Sequence, residues 1–274
     1  MKYFKWLSVV FLFICMILIS PMVNAQSVVQ ASSPPILKIN QYYILFTYPT
    51  SPYVDQNNRL LVPLRSLSDL LGADVAYNKG KKQATINFNN HHLVLTTGSK
   101  EVTIDQNIEQ MDTIPVQKRN ALYIPLKVML EYLDVDGAYN ANTKIIELNN
   151  PKYMKNTPQL TQETQDRVGL DENQNAFQVT SYQINLGATD KKAGIWKGSI
   201  TYTSKNVTGK TIEQGKEDIH SSYMLANGNS QGELYKYMRE KHSAVKPGES
   251  ITKTRTLIGN TDLAYIIVKP YAVK

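Results

Sequence analysis

The chain has one cysteine, four histidines and no dense run of basic residues, and each shortage removes a class of function. Cys15 lies in the apolar stretch at the start of the chain, so a protein cut behind that stretch has no thiol. Disulfides, thiolate metal sites and a cysteine nucleophile are excluded together. His91, His92, His220 and His242 show no H-x-H or H-x-x-x-H spacing. Neighbouring residues of a strand point to opposite faces, so His91 and His92 cannot share an ion, and no metal or other cofactor is expected. Lysine and arginine are scattered rather than interleaved with aromatics, which argues against a nucleic-acid partner. The longest apolar run, Trp6 to Ile19, falls short of the roughly 20 residues of a spanning helix.

What is present begins with that run. Lys2 and Lys5 precede it, and Pro21 and Val23-Asn24-Ala25 follow, which is the layout of a secretory signal peptide over residues 1–25. A retained N-terminal anchor is the alternative. Ile14 stands where lipid attachment to Cys15 would need a small residue. With Lys2 and Lys5 removed, the mature charge is 28 − 23 = +5, suited to a place among anionic wall polymers, although lysines also serve solubility. The remaining length, about 250 residues, is enough for two domains.

An internal repeat defines the first of them. Leu61-Val62-Pro63-Leu64-Arg65 returns as Tyr123-Ile124-Pro125-Leu126-Lys127, displaced by 125 − 63 = 62 residues. At the same offset Leu71 meets Leu133, Asp74 meets Asp136, Tyr77 meets Tyr139 and Asn78 meets Asn140. In each copy a short β-run ends on a proline, which suits the first turn of a helix because its missing N–H would be unpaired there. Leu64, Leu67, Leu70 and Leu71 give the first helix its apolar stripe, with Gly72 as the stop, and Leu126, Met129, Leu130 and Leu133 give the second. Such short amphipathic helices must lie on a sheet. Strands are predicted at 74–77, 83–88, 92–96 and 101–104, and in the second copy at 137–139 and 144–148.

This L-V-P-L-R strand end, short helix and V-x-Y-N hairpin closing on a T-I-x-F strand resembles the copper amine oxidase N-terminal-like domain, or stalk domain, over residues 36–150. The second copy departs at Gly137, where the first has Val75. The resemblance implies an accessory domain rather than a catalytic one, found in many secreted proteins of Gram-positive bacteria without an oxidase. The oxidase chemistry itself needs a tyrosine in an Asn-Tyr-Asp/Glu context, and this chain has no Asn-Tyr dipeptide.

Residues 151–175 are polar and read as a linker with a turn of helix near 162–168, which would let its flanking modules move independently. Over 176–274, β-runs at 177–186, 194–204, 250–257 and 263–268 are joined by turns such as Asn206-Val207-Thr208-Gly209-Lys210-Thr211. That stretch, with Pro247-Gly248-Glu249-Ser250, resembles the immunoglobulin-like sandwiches of bacterial exported proteins. Leu234, Tyr237, Met238 and Lys241 are spaced for a helical insertion. The expected class is therefore α+β: a tandem two-copy antiparallel sheet with one short helix per copy, then a mainly β immunoglobulin-like sandwich.

Several motifs invite a catalytic reading. Gly228-Asn229-Ser230-Gln231-Gly232 matches the G-x-S-x-G elbow with His242 downstream, yet it lacks the alternating strands and helices an elbow sits in and reads as a surface turn. Ser243 to Lys246 and Ser250 to Lys253 have S-x-x-K spacing without a helix or a K-T-G. Gly209-Lys210-Thr211 lacks the first glycine of a phosphate loop, and Glu131 with Asp134 reads as a solvated helix face. No catalytic residue is assigned. The 17 tyrosines are the one unusual richness, and Tyr42, Tyr43, Tyr48 and Tyr53 are the candidate contact surface, with ordinary sheet packing as the plain alternative. The expectation is a non-catalytic secreted or cell-envelope protein contacting wall polymer or another exported protein. Its rivals are a regulatory module that captures a soluble protein or peptide at a sheet edge and a wall hydrolase using Ser230.

Overall fold

The computed structural model describes residues 33–47, 51–154, 157, 171–187, 189, 194–226, 229–232 and 242–274. The signal segment, Tyr48, the 162–168 turn and Leu234 to Lys241 lie outside the described residues. Strands β1 (Ile36–Ile39) and β2 (Tyr42–Phe46) form a hairpin, and β3 (Tyr53–Val54) and β4 (Leu60–Pro63) lead into helix α1 (Leu64–Leu71). A meander follows: β5 (Asp74–Asn78), β6 (Gln83–Phe88), β7 (His91–Thr96), β8 (Glu101–Ile104) and β9 (Asn107–Gln110). Then come β10 (Val116–Lys118), β11 (Ala121–Pro125), helix α2 (Leu126–Tyr132), β12 (Gly137–Asn140) and β13 (Ile145–Leu148). The remainder is β14 (Glu172–Asn173), β15 (Phe177–Leu186), β16 (Trp196–Asn206), β17 (Glu217–Leu225), β18 (Ser230–Gly232), β19 (Ser250–Gly259) and β20 (Leu263–Val273).

Both helices start where the prolines predict. Pro63 (φ −70°, ψ 113°) and Pro125 (φ −60°, ψ 132°) end their strands in extended geometry, and the helical turn begins with the next residue. Gly72 closes α1 at φ 80°, with Ala73 N–H reaching Ser68 carbonyl at 2.9 Å. The two proline-tipped strands pair antiparallel, and Val62 and Ile124, equivalent in the repeat, sit directly opposite each other. The two hairpins that follow the helices part company. β5–β6 joins the meander, in the order β5-β6-β7-β8-β9, whereas β12–β13 joins a larger sheet in the order β12-β13-β1-β2-β20-β17-β18. Gly137 is explained here: a Cβ on it would collide with Leu148 Cδ2 and the Glu147 carbonyl oxygen.

The larger sheet corrects two expectations. It is not wholly antiparallel, because β1 runs parallel to β13, with Lys38 beside Glu147 and their side chains paired at 3.0 Å. Nor do the flanking modules stand free of one another, because β20, the last strand, lies along β2 in antiparallel register, Tyr43 to Val268 through Phe46 to Tyr265. Residues Ser33–Lys274 form one compact unit.

Period-two alternation gives this sheet two buried faces. Leu37, Ile39, Ile44, Phe46, Ile146, Leu148 and Ile267 turn toward the helices and the meander, in one core with Leu64, Leu67, Met129 and Ile86. Ile36, Tyr43, Leu45, Ile145, Ile266 and Val268 turn the other way, against Phe177, Val179, Ile200, Tyr202 and Leu257 of the three-stranded sheet β15-β16-β19. Each such aliphatic side chain stabilises by about 1.5–3 kcal/mol when fully buried. The protein is mostly β with two short helices among the described residues.

A fragment ending at residue 154 strips β20 from β2 and bares one face of the large sheet. It is expected to aggregate or to lose its cooperative melt, as read by near-ultraviolet circular dichroism and sedimentation velocity. A monomeric fragment melting within about 5 °C of the full chain would contradict the shared core.

Candidate functional site

A groove of about 690 Å³ with charged walls lies beside α1. Helical spacing brings Arg65 and Asp69 to one side of α1, and strand alternation brings Val75 and Tyr77 of β5 to one face, with Lys79 just beyond. Gln117 of β10 and Asn120 of the following turn close the opposite wall, and Ala226 and Ala264, from β17's end and β20, reach it from the C-terminal strands. Burial raises the Asp69 carboxyl above its ordinary range, with Arg65 opposing the shift. Burial pushes Tyr265 up to about 12, and Asp69 adds to it. Tyr77 is exposed at the mouth. Arg65, Asp69 and Lys79 are all exposed, so the groove presents two cations and one carboxyl to solvent beside the apolar side chains of Leu64, Val75 and Leu122.

Of the tyrosines chosen from the sequence, Tyr42, Tyr43 and Tyr53 are described, and they do not share one exposed face. β2 is an inner strand, so Tyr42 packs half-buried on the main core while Tyr43 points to the opposite face and is 4% exposed. Burial first, then Glu147, raises the Tyr43 phenol. Tyr53 stands edge-on to Tyr123 at 5.1 Å, with the Lys118 ammonium 4.2 Å from its ring centroid. These residues hold sheets together rather than offer a contact platform.

The histidine pair splits as alternation requires. His91 Nδ1 lies 2.6 Å from Asp105 and Nε2 lies 3.1 Å from Asp134, so one ring joins the β8–β9 turn to the end of α2. The hydrogen bonds to Asp105 and Asp134 raise its pKa above 6.5, and the reciprocal bond lowers that of Asp105. Among the described residues no group of three metal-type ligands occurs. When protonated, this ring is itself the cation between the two carboxylates.

The catalytic-looking motifs resolve into structure. Ser230 lies in strand β18, paired antiparallel with Met224 of β17. Ser250 is exposed on one face of β19 and Lys253 buried on the other, so they cannot act together. Asn206 ties the Gly209-Lys210-Thr211 turn, its amide donating to Lys210 carbonyl at 2.8 Å and Val245 carbonyl at 2.9 Å. Glu131 pairs with Lys127 at 3.6 Å.

Residues 38–148, from β1 to the end of β13, match the family model of the copper amine oxidase N-terminal domain. Over those residues the chain is similar to that domain. That domain is not the catalytic part of those enzymes, and no curated protein matches the chain. No helix among the described residues is long and apolar enough to cross a membrane.

Behind the matched region lies a buried ionic cluster that sequence reasoning missed. Lys253 Nζ, on β19, lies 2.6 Å from Glu217 Oε1 on β17 and donates to Ile219 carbonyl at 2.7 Å. His242 Nε2 reaches Glu217 at 4.0 Å, and His220 Nδ1 lies 3.6 Å from Asp218. Burial lowers the Lys269 pKa to about 7, a shift often met at reactive sites, but this residue is 0% exposed and out of reach of a substrate. The cluster bolts the three-stranded sheet to the large one.

Two outcomes follow. In NMR titration His91 should show a pKa above 6.5 that Asp134→Asn lowers. Because the folded value is raised, its stabilisation is complete below 6.5 and is lost as pH rises through the folded pKa. A His91 value at or below 6.5 would rule out the double clamp. Lys253→Ala strands the Glu217 carboxylate and should cost about 3–5 kcal/mol in urea unfolding, with Lys253→Met/Glu217→Leu recovering much of it.

Proposed function

We propose that this is a non-catalytic, extracytoplasmic binding protein that contacts a wall polymer or another exported protein. The basic tip, short apolar run and Ala25 support export. The match to the amine oxidase N-terminal domain supports an accessory role, and Ser230, Lys253 and the Gly209-Lys210-Thr211 turn each have a structural use that competes with chemistry. For the finer architecture, we propose two copies of one strand–proline–helix–hairpin unit followed by a sandwich of immunoglobulin type. The Val62–Ile124 pairing favours the first. The packing of β15-β16-β19 on β17 and β20 favours the second.

The observation that carries the binding reading is the groove. It is open to solvent, has Arg65 and Lys79 on its rim, and takes its wall from both the family domain and the C-terminal strands. An anionic partner would be drawn by the rim charges and lose affinity in salt.

Residues 26–274 are expected to co-sediment with purified sacculi that keep their anionic polymers, in low salt more than in high. Arg65→Glu/Lys79→Glu should reduce the bound fraction about tenfold, the effect of roughly 1.4 kcal/mol. Absence of co-sedimentation at every salt concentration would remove the wall polymer and leave an exported protein as the partner. Co-sedimentation indifferent to the double variant would remove the groove.

A further inference from the structure

The wall of the groove formed by β5 is also the end of a sheet. In the meander β5 pairs with β6 alone, and its outer side carries no strand among the described residues. Among the described residues no backbone hydrogen bond outside the ladders involves residues 74–78. Asp74, Ala76, Tyr77 and Asn78 are all exposed. An edge strand with outward N–H and C=O groups is a template for one more strand, and exported proteins usually blunt or occupy such edges.

The side-chain geometry says what kind of segment fits. In an added strand, residues opposite Val75 and Tyr77 project to the same face as those two side chains, and that face is the groove. There they meet the exposed Arg65 guanidinium and Lys79 ammonium, two cations against the single carboxyl of the lining, Asp69, which is exposed one helical turn from Arg65. Alternate acidic residues are therefore matched in charge, and alternate basic residues are opposed. The other end of the meander, β9, is also an edge and fully exposed, but none of its residues lines this groove.

We propose that the groove receives an extended acidic peptide segment, which adds to β5 as a sixth strand of the meander and sends alternate carboxylates to Arg65 and Lys79. This rests on the binding role proposed above and names the partner's chemistry as peptide. Main-chain hydrogen bonds supply the docking and the rim charges select the sequence. Five residues of β5 span about 17 Å, so a segment of five or six residues is enough.

The test uses residues 26–274 and a fluorescein-labelled hexapeptide alternating Glu and Thr, followed by anisotropy. The peptide is expected to bind, and the same peptide N-methylated on alternate residues, on whichever of the two alternations faces β5, should bind at least tenfold more weakly. A Lys–Thr hexapeptide should also be at least tenfold weaker, and Arg65→Glu/Lys79→Glu should invert that preference. N-methylation without effect on either alternation, equal binding of the acidic and basic peptides, or no binding of the acidic one overturns the proposal. Retention of groove-dependent sacculus binding in that case leaves the wider reading intact and rejects the peptide alone. A dimer that the acidic peptide cannot dissociate would assign β5 to a second copy of the chain, and would equally overturn it.

Discussion

The ladder between β2 and β20 carries the architecture. Tyr43, Ile44, Leu45 and Phe46 can face two cores at once only because β1 flanks them on one side and β20 on the other. An inner strand has no free backbone edge, so its side chains can be apolar on both faces without leaving unpaired polar groups beside them. That arrangement lets the C-terminal sandwich use the family domain's sheet as one of its own layers. It also explains the buried ionic cluster. The three-stranded sheet faces β17 as well as β20, and β17 begins with Glu217, Asp218 and His220, whose charges need partners in an interior. Lys253 crosses from β19 to meet one of them, so the seam between the sheets is specific in register as well as apolar.

The locally encoded parts were legible in the sequence. Proline before Leu64 and Leu126, glycine at 72 and the leucine stripes act within one or two turns, and the helices appear where those signals put them. The hairpins at 74–88 and 137–148 and most C-terminal strands were legible for the same reason. The β2–β20 pairing was not, because it joins segments more than 200 residues apart and no local rule ranks such partners. A signal did exist: Tyr42 to Phe46 and Ala264 to Val268 are continuous apolar runs, the mark of strands covered on both faces. Read that way, Tyr43 would not have been offered as a contact residue. β17 lacked even that mark. Glu-Asp-Ile-His-Ser-Ser looks like a solvated loop, and only its distant partners make it an inner strand.

The groove was invisible for a related reason. Arg65, Tyr77 and Lys79 belong to the first copy of the repeat and were each read for local geometry, as helix, strand and turn. Gln117, Ala226 and Ala264 join them through pairings between distant segments. None of these residues is unusual in type, so composition could not raise them above any other surface position. Their meaning is positional, set by where the meander ends and where β20 passes.

That position links recognition to the shared core. Ala264 lines the groove, and two residues along the same strand Ile266 is buried in the sandwich, with Ile267 in the opposite core. A strand is stiff along its length, so a shift of β20 large enough to reshape the groove would have to break contacts in both cores. The small side chains of Ala226 and Ala264 also leave room that bulkier residues would fill. The groove is thus held in shape by packing on the far side of the sheet, and pre-formed sites of this kind lose less conformational freedom on binding than loops that order around a ligand. On this view the C-terminal strands contribute to recognition chiefly by fixing the wall on which the family domain presents Arg65, Tyr77 and Lys79.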